Sequence, residues 1–117
     1  MKTNLSISEA TVEGGVCVLK LAGFLDGHTL IDLERKLEIL FKAGKYRLVM
    51  DLGGLTYIAS AGVGAFINGQ HQTKKHDGCL MLANAGPNIR EIFEILGLDA
   101  IFTIHASLPA AVKAAQG

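Results

Sequence analysis

The strongest constraint on the fold is the repeated change in apolar spacing along the chain. Leu5, Ile7 and Val12 alternate around Ser6, Ser8 and Glu9, the period of a half-buried strand, and Gly14-Gly15 break the run. VCVLKLA (16–22) continues as a second strand, so 4–22 reads as a hairpin. The loop GFLDGHT (23–29) is rich in turn formers. From Thr29 the spacing becomes three and four: Leu30, Leu33, Leu37, Leu40 and Phe41, with charged residues between them. That pattern predicts an amphipathic helix, which Ala43-Gly44 should stop.

The alternation then repeats. RLVMDL (47–52) predicts a strand buried on both faces, and GGLTYIAS reads as a connection to a helix over 61–76 that ends in Lys74, Lys75 and His76. CLMLAN (79–84) is another strand. Pro87 opens a third helix carrying Ile89, Ile92, Phe93 and Leu96, closed by Gly97. IFTI (101–104) is a short last strand, and Ser107 caps a final helix over 110–116 with Pro109 in its first turn. Strands that alternate with helices need crossover connections. The expectation is a single α/β domain over residues 1–117, a mostly parallel central sheet of about five strands with four helices packed on it.

Composition narrows the function classes. Half of the 117 residues are apolar and 19% are charged, the profile of a folded domain. Eleven Lys and Arg balance eleven Asp and Glu, so nothing electrostatic points to nucleic acid or an anionic membrane. The same balance leaves little repulsion against association with another protein or a second copy. Cys17 and Cys79 sit in apolar, strand-like segments without a CxxC pair, which predicts buried free thiols and a reducing compartment. With no basic-then-apolar leader and no apolar run near ~20 residues, the expected location is cytoplasmic, without membrane insertion.

Catalytic constellations do not assemble. There is no GxxxxGK[ST] loop, GVG (62–64) lacks the third glycine of a dinucleotide site, and ASAGV lacks the first glycine of a serine-hydrolase elbow. His28, His71, His76 and His105 are scattered and read as surface residues. No catalytic residue, metal or cofactor is expected. What stands out is Ser60 within TYIASAGVGAF (56–66). It follows a strand and connection and precedes a helix, so its hydroxyl is placed to act as N-cap. Ala61, Gly62, Gly64 and Ala65 leave the first turns bare although each glycine costs ~1 kcal/mol of helix propensity. Close internal packing and docking of a partner both account for that bareness. A phosphate on Ser60 would meet free N–H groups and the positive end of the helix dipole, yet obstruct a partner lying over an apolar patch.

Three segments carry a family resemblance: VLKLAGFLDGHT, RLVMDLGGLTYIASAGVGAF and MLANAGPNIREIFEILGLDAIFTIHASLPAAV. Together, over about residues 4–115, they resemble the STAS domain of bacterial anti-sigma-factor antagonists. The resemblance implies a regulator that, unphosphorylated, binds an anti-sigma factor of histidine-kinase-like ATPase fold and releases sigma. That partner, acting as a serine kinase, phosphorylates the domain, and a serine phosphatase resets it. It implies Ser60 as phosphoacceptor, Asp26 in the loop beside it, and a docking surface including Gly27, Ala59, Ala61, Gly62 and Gly64. Asp26 also reads as an Asp-Gly turn that helps start the helix at 29. Thr56 and Tyr57 are nearby hydroxyls, with Tyr57 expected to pack inward. The family commonly reads Asp-Ser-Ser-Gly where this chain has Ala59, Ser60, Ala61 and Gly62. That departure supports an alternative: a STAS accessory subunit that regulates an ATPase, as in lipid-transport complexes, without being phosphorylated.

Overall fold

The computed structural model describes residues 4–116; residues 1–3 and 117 of the expected domain lie outside the described residues. In chain order it contains β1 (Leu5–Val12), β2 (Val16–Leu25), α1 (Leu30–Lys42), β3 (Arg47–Ile58) and α2 (Ser60–Lys75). It continues with β4 (Cys79–Ala83), α3 (Pro87–Ile95), β5 (Ile104–His105) and α4 (Leu108–Gln116). The five strands form one sheet in the order β1-β2-β3-β4-β5. β1 runs antiparallel to β2, and the other pairs are parallel. This is the expected mostly parallel α/β domain.

The apolar stripes explain the layering. Leu33, Leu37 and Leu40 of α1, Val63 and Phe66 of α2, and Ile89 and Phe93 of α3 join Leu19, Leu48, Met50 and Leu82 of the sheet in one buried core. The opposite face is covered by α4, whose Ala111 and Ala115 pack on Val16, Val18, Val49 and Ala83. Three helices therefore lie on one face and one on the other. Phe66, Phe93 and Phe102 meet at centroid distances of 6.2–6.5 Å and tie α2 and α3 together beneath the site. Ser107 caps α4 as expected, its Oγ accepting from the Ala110 N–H at 3.2 Å.

Two strand boundaries differ from expectation. β2 extends to Leu25 and β3 to Ile58, so most of GGLTYIAS is strand and not connection. The pairing of β2 with β3 shifts register between Lys20 and Ala22 and again between Gly23 and Phe24. Each shift places an extra residue in β3, so its core-facing residues fall at Leu48, Met50, Leu52, Leu55 and Ile58. Bulges stretch the strand period from two to three there, and the alternation that marks a strand is lost. The last strand is also displaced: a 3-10 turn (Leu98–Ala100) uses the start of IFTI's approach, and only Ile104–His105 pair with β4. Gly97 ends α3 as anticipated, at φ 72°.

Candidate functional site

The site lies at the carboxyl ends of the parallel strands, where open α/β sheets commonly bind ligands. Leu25 of β2 pairs with Ile58 of β3, so both chains leave the sheet side by side. The Ala59 N–H donates to the Leu25 carbonyl at 2.9 Å, fixing the start of α2 against the loop that carries Asp26 and Gly27. Strand register thus brings the two predicted segments, 26–27 and 59–62, to one place.

Asp26 organises that loop. Its Oδ1 accepts from the backbone N–H groups of His28 at 2.9 Å and Thr29 at 3.1 Å. Its own N–H donates to Thr29 Oγ1 at 2.9 Å, and the Thr29 hydroxyl donates to the Phe24 carbonyl at 2.8 Å. The Leu30 N–H reaches the Asp26 carbonyl at 2.9 Å, joining the turn to α1. Of the two readings of Asp26, the turn that starts α1 is therefore present. Thr29, the buried member of the pair, holds the loop to β2.

Ser60 is not the N-cap. Ala59 holds that position with extended backbone (φ −96°, ψ 160°), and Ser60 is the first helical residue. The reason is the length of β3: it delivers Ile58 to the sheet's end, leaving only Ala59 to make the turn. The cap has no side-chain acceptor, and the exposed Ser60 hydroxyl makes no hydrogen bond to the described residues.

The bare first turns divide into two faces. Gly62 is buried, and a Cβ there would lie 2.6 Å from Leu25 Cγ and 3.1 Å from the Leu25 carbonyl oxygen. Its bareness is the close-packing answer: α2 sits on the end of β2 only because this residue has no side chain. Gly64 has nothing within 4 Å of a Cβ and is exposed, as is Ala61. Here the bareness faces outward.

Sequence reasoning missed the other wall of the site. A shallow groove of about 570 Å³ runs between residues 57–61 and the end of α3, where Ile92, Ile95 and Leu96 line it. Ile95 is 74% exposed. It falls off the inward stripe of Ile89 and Phe93, and an apolar residue on the polar side of a helix was the available signal. Tyr57, expected to pack inward, is instead about half exposed on this rim, its ring 5.8 Å from that of Phe24. The bulge opposite Phe24 turns it outward. The groove's lining contains no charged side chain, so the Ser60 and Tyr57 hydroxyls are its side-chain polar groups.

Both thiols are free; Cys17 is buried and Cys79 half-buried, and burial raises the pKa of each above its ordinary value. Among the described residues no helix is long and apolar enough to cross a membrane.

Residues 8–111 match the STAS domain. The chain belongs to the STAS-domain family. A relative in Bordetella bronchiseptica, BtrV, provisionally named an anti-sigma factor antagonist, is 35% identical over 100 residues, 86% of each chain. Among solved structures, an anti-sigma factor antagonist from Mycobacterium paratuberculosis superposes with a TM-score of 0.86 at 23% identity, covering 97% of this STAS chain and 96% of that one. The Bacillus cell fate determinant SpoIIAA in its phosphorylated form gives a TM-score of 0.71 at 22% identity, over 92% and 97%. At these identities the structural likeness is one of fold.

Proposed function

We propose that this STAS domain is an anti-sigma factor antagonist that docks its partner over the Ser60 groove and is switched off by phosphorylation of Ser60. The partner is an anti-sigma factor of kinase-like ATPase fold, which also serves as the serine kinase; a serine phosphatase restores binding. The observation that carries the reading is an exposed serine hydroxyl in the lining of an uncharged, mostly apolar groove whose other polar side chain is Tyr57. Apolar walls such as Ile95 and Leu96 supply area for a protein partner to cover. A phosphate of about −1.5 to −2 charge there would have to be desolvated when the partner closes over it. In the free domain the same phosphate sits at the first turn of α2, where the dipole and the uncapped N–H groups favour it. Binding is lost while the fold is kept.

Asp26 and Gly27 contribute through the rigid loop beside Ser60, and Ala59, Ala61 and Gly64 through their small, outward surfaces. Gly62 acts indirectly, by letting α2 approach β2. The name of the Bordetella relative supports the antagonist role. A second reading rests on Ala59, which gives the helix start no acidic or capping side chain: a domain that docks on an ATPase and is never phosphorylated. Incubation with the cognate kinase-fold anti-sigma factor and ATP separates them. A mass gain of ~80 Da mapping to Ser60 is expected; a gain mapping to Thr56 or Ser107, or none, removes Ser60 as the acceptor.

A further inference from the structure

The outer edge of β1 offers a second interaction surface, on the side of the sheet away from β5. β1 is eight residues long, contains neither proline nor lysine, and pairs with β2 in unbroken register. The Phe24 N–H donates to the Asn4 carbonyl at 2.9 Å, which makes Asn4 and Phe24 a hydrogen-bonded pair. In an antiparallel ladder such pairs alternate, so the even residues of β1 bond to β2. The N–H and C=O groups of Leu5, Ile7, Glu9 and Thr11 therefore point outward, and no described residue pairs with them. Unbroken edges of this length are templates for another strand.

We infer that this edge pairs with the same edge of a second copy, extending the sheet across a two-fold axis. The other edge of the sheet, β5, offers only Ile104–His105, so a head-to-tail pairing of β1 with β5 has two residues to use. The two-fold arrangement uses the whole of β1 and closes on itself. Centred on Ser8, it sets Ile7 opposite Glu9, Leu5 opposite Thr11 and Ser6 opposite Ala10, with no like charges facing. Moving the centre to Glu9 would oppose two carboxylates, which disfavours that register. The zero net charge of the chain adds no long-range repulsion.

A second observation points to the same edge. Lys36 of α1 pairs with Glu9 of β1, so that flank of α1 faces the outer strand. Ile39, one turn further along the same flank, is 62% exposed and lies outside the inward stripe of Leu33, Leu37 and Leu40. Pairing the edges brings these two flanks toward each other and offers each Ile39 an apolar neighbour. The result is a modest interface, of the kind that forms reversibly at high protein concentration.

Backbone hydrogen exchange on the full chain, with sedimentation velocity at the same concentrations, tests this. On concentration, the chain becomes dimeric and the amides of Leu5, Ile7, Glu9 and Thr11 slow, while those of Ser6, Ser8 and Ala10 do not change. When about nine-tenths of the chain is dimeric the slowing is about tenfold, because only the monomer exposes these amides. Thr11→Pro removes one outward donor and Ile39→Lys removes the helix contact; each should abolish the concentration dependence while the circular dichroism spectrum stays unchanged. A chain that remains monomeric near about 1 mM overturns the proposal, as does a dimer whose odd-numbered β1 amides exchange as in the monomer. Protection of those amides already at low concentration also overturns it, since the edge would then be covered within one chain.

Discussion

Replacing Gly62 and Gly64 by alanine, one at a time, should move stability in opposite directions although the two sites are half a turn apart in one helix. In an exposed helix interior alanine is favoured over glycine by about 0.5–1 kcal/mol. At Gly64 nothing lies within 4 Å of the added methyl, so that gain is kept in full. At Gly62 the methyl would meet Leu25 Cγ at 2.6 Å and the Leu25 carbonyl oxygen at 3.1 Å. Neither is the free end of a flexible side chain, and relieving such overpacking costs about 1–3 kcal/mol. Gly64→Ala is therefore expected to be more stable than the parent by up to about 1 kcal/mol, and Gly62→Ala less stable by roughly 1–2 kcal/mol. In thermal unfolding that separates the two variants by about 5–10 °C. Urea titration with unchanged m-values is the assay, because a shift in midpoint at constant slope reports native stability alone. Equal stabilisation by both substitutions would refute the claim that α2 is seated on Leu25 through Gly62. Destabilisation at Gly64 would refute its placement on an open surface.

The other predictions concern the partner, the sheet and pH. Ile95→Asp should leave the fold intact, since the side chain is 74% exposed, while weakening binding to the anti-sigma factor at least about tenfold in calorimetric titration. Gly78→Ala should destabilise by more than about 3 kcal/mol or prevent folding, read by circular dichroism, because its Cβ would collide with the Tyr46 backbone carbonyl. Glu9 is held below its ordinary value of 4.5, first by its hydrogen bond with Lys36 and then by the charges of Lys36 and Lys45. A carboxyl depressed in the folded state contributes stability above its unfolded pKa and loses it as pH falls through the folded one. Glu9→Gln should therefore flatten the decline in thermal midpoint below about pH 4.5 and matter least at low pH.

Some of this was legible in the sequence because residue spacing encodes it directly. The stripes of α1 and α3 follow one helical period, and Pro87 and Gly97 bound the second of them as their backbone chemistry requires. β3 was legible only to Leu52. Beyond it, two bulges replace alternation with a spacing of three, and a strand with that spacing looks like loop. The site followed the same division. Ser60 and the Asp26 loop are local motifs, and β2–β3 register unites them. The α3 wall depends on how a separate helix packs, so only Ile95, apolar on the wrong side of its stripe, hinted at it. The two glycines after Ser60 could not be told apart by sequence, because which one faces Leu25 is a matter of helix rotation.

The most direct test of the account is calorimetric titration of the proposed partner, a kinase-fold anti-sigma factor, with three forms of the domain: unmodified, Ser60→Ala and Ser60→Asp. The groove account predicts that the unmodified and alanine forms bind alike, since the Ser60 hydroxyl makes no bond that holds the fold, while the aspartate form loses binding by at least about a hundredfold, roughly 2.7 kcal/mol. Equal binding by all three, with each variant folded, would contradict a phosphate switch at Ser60.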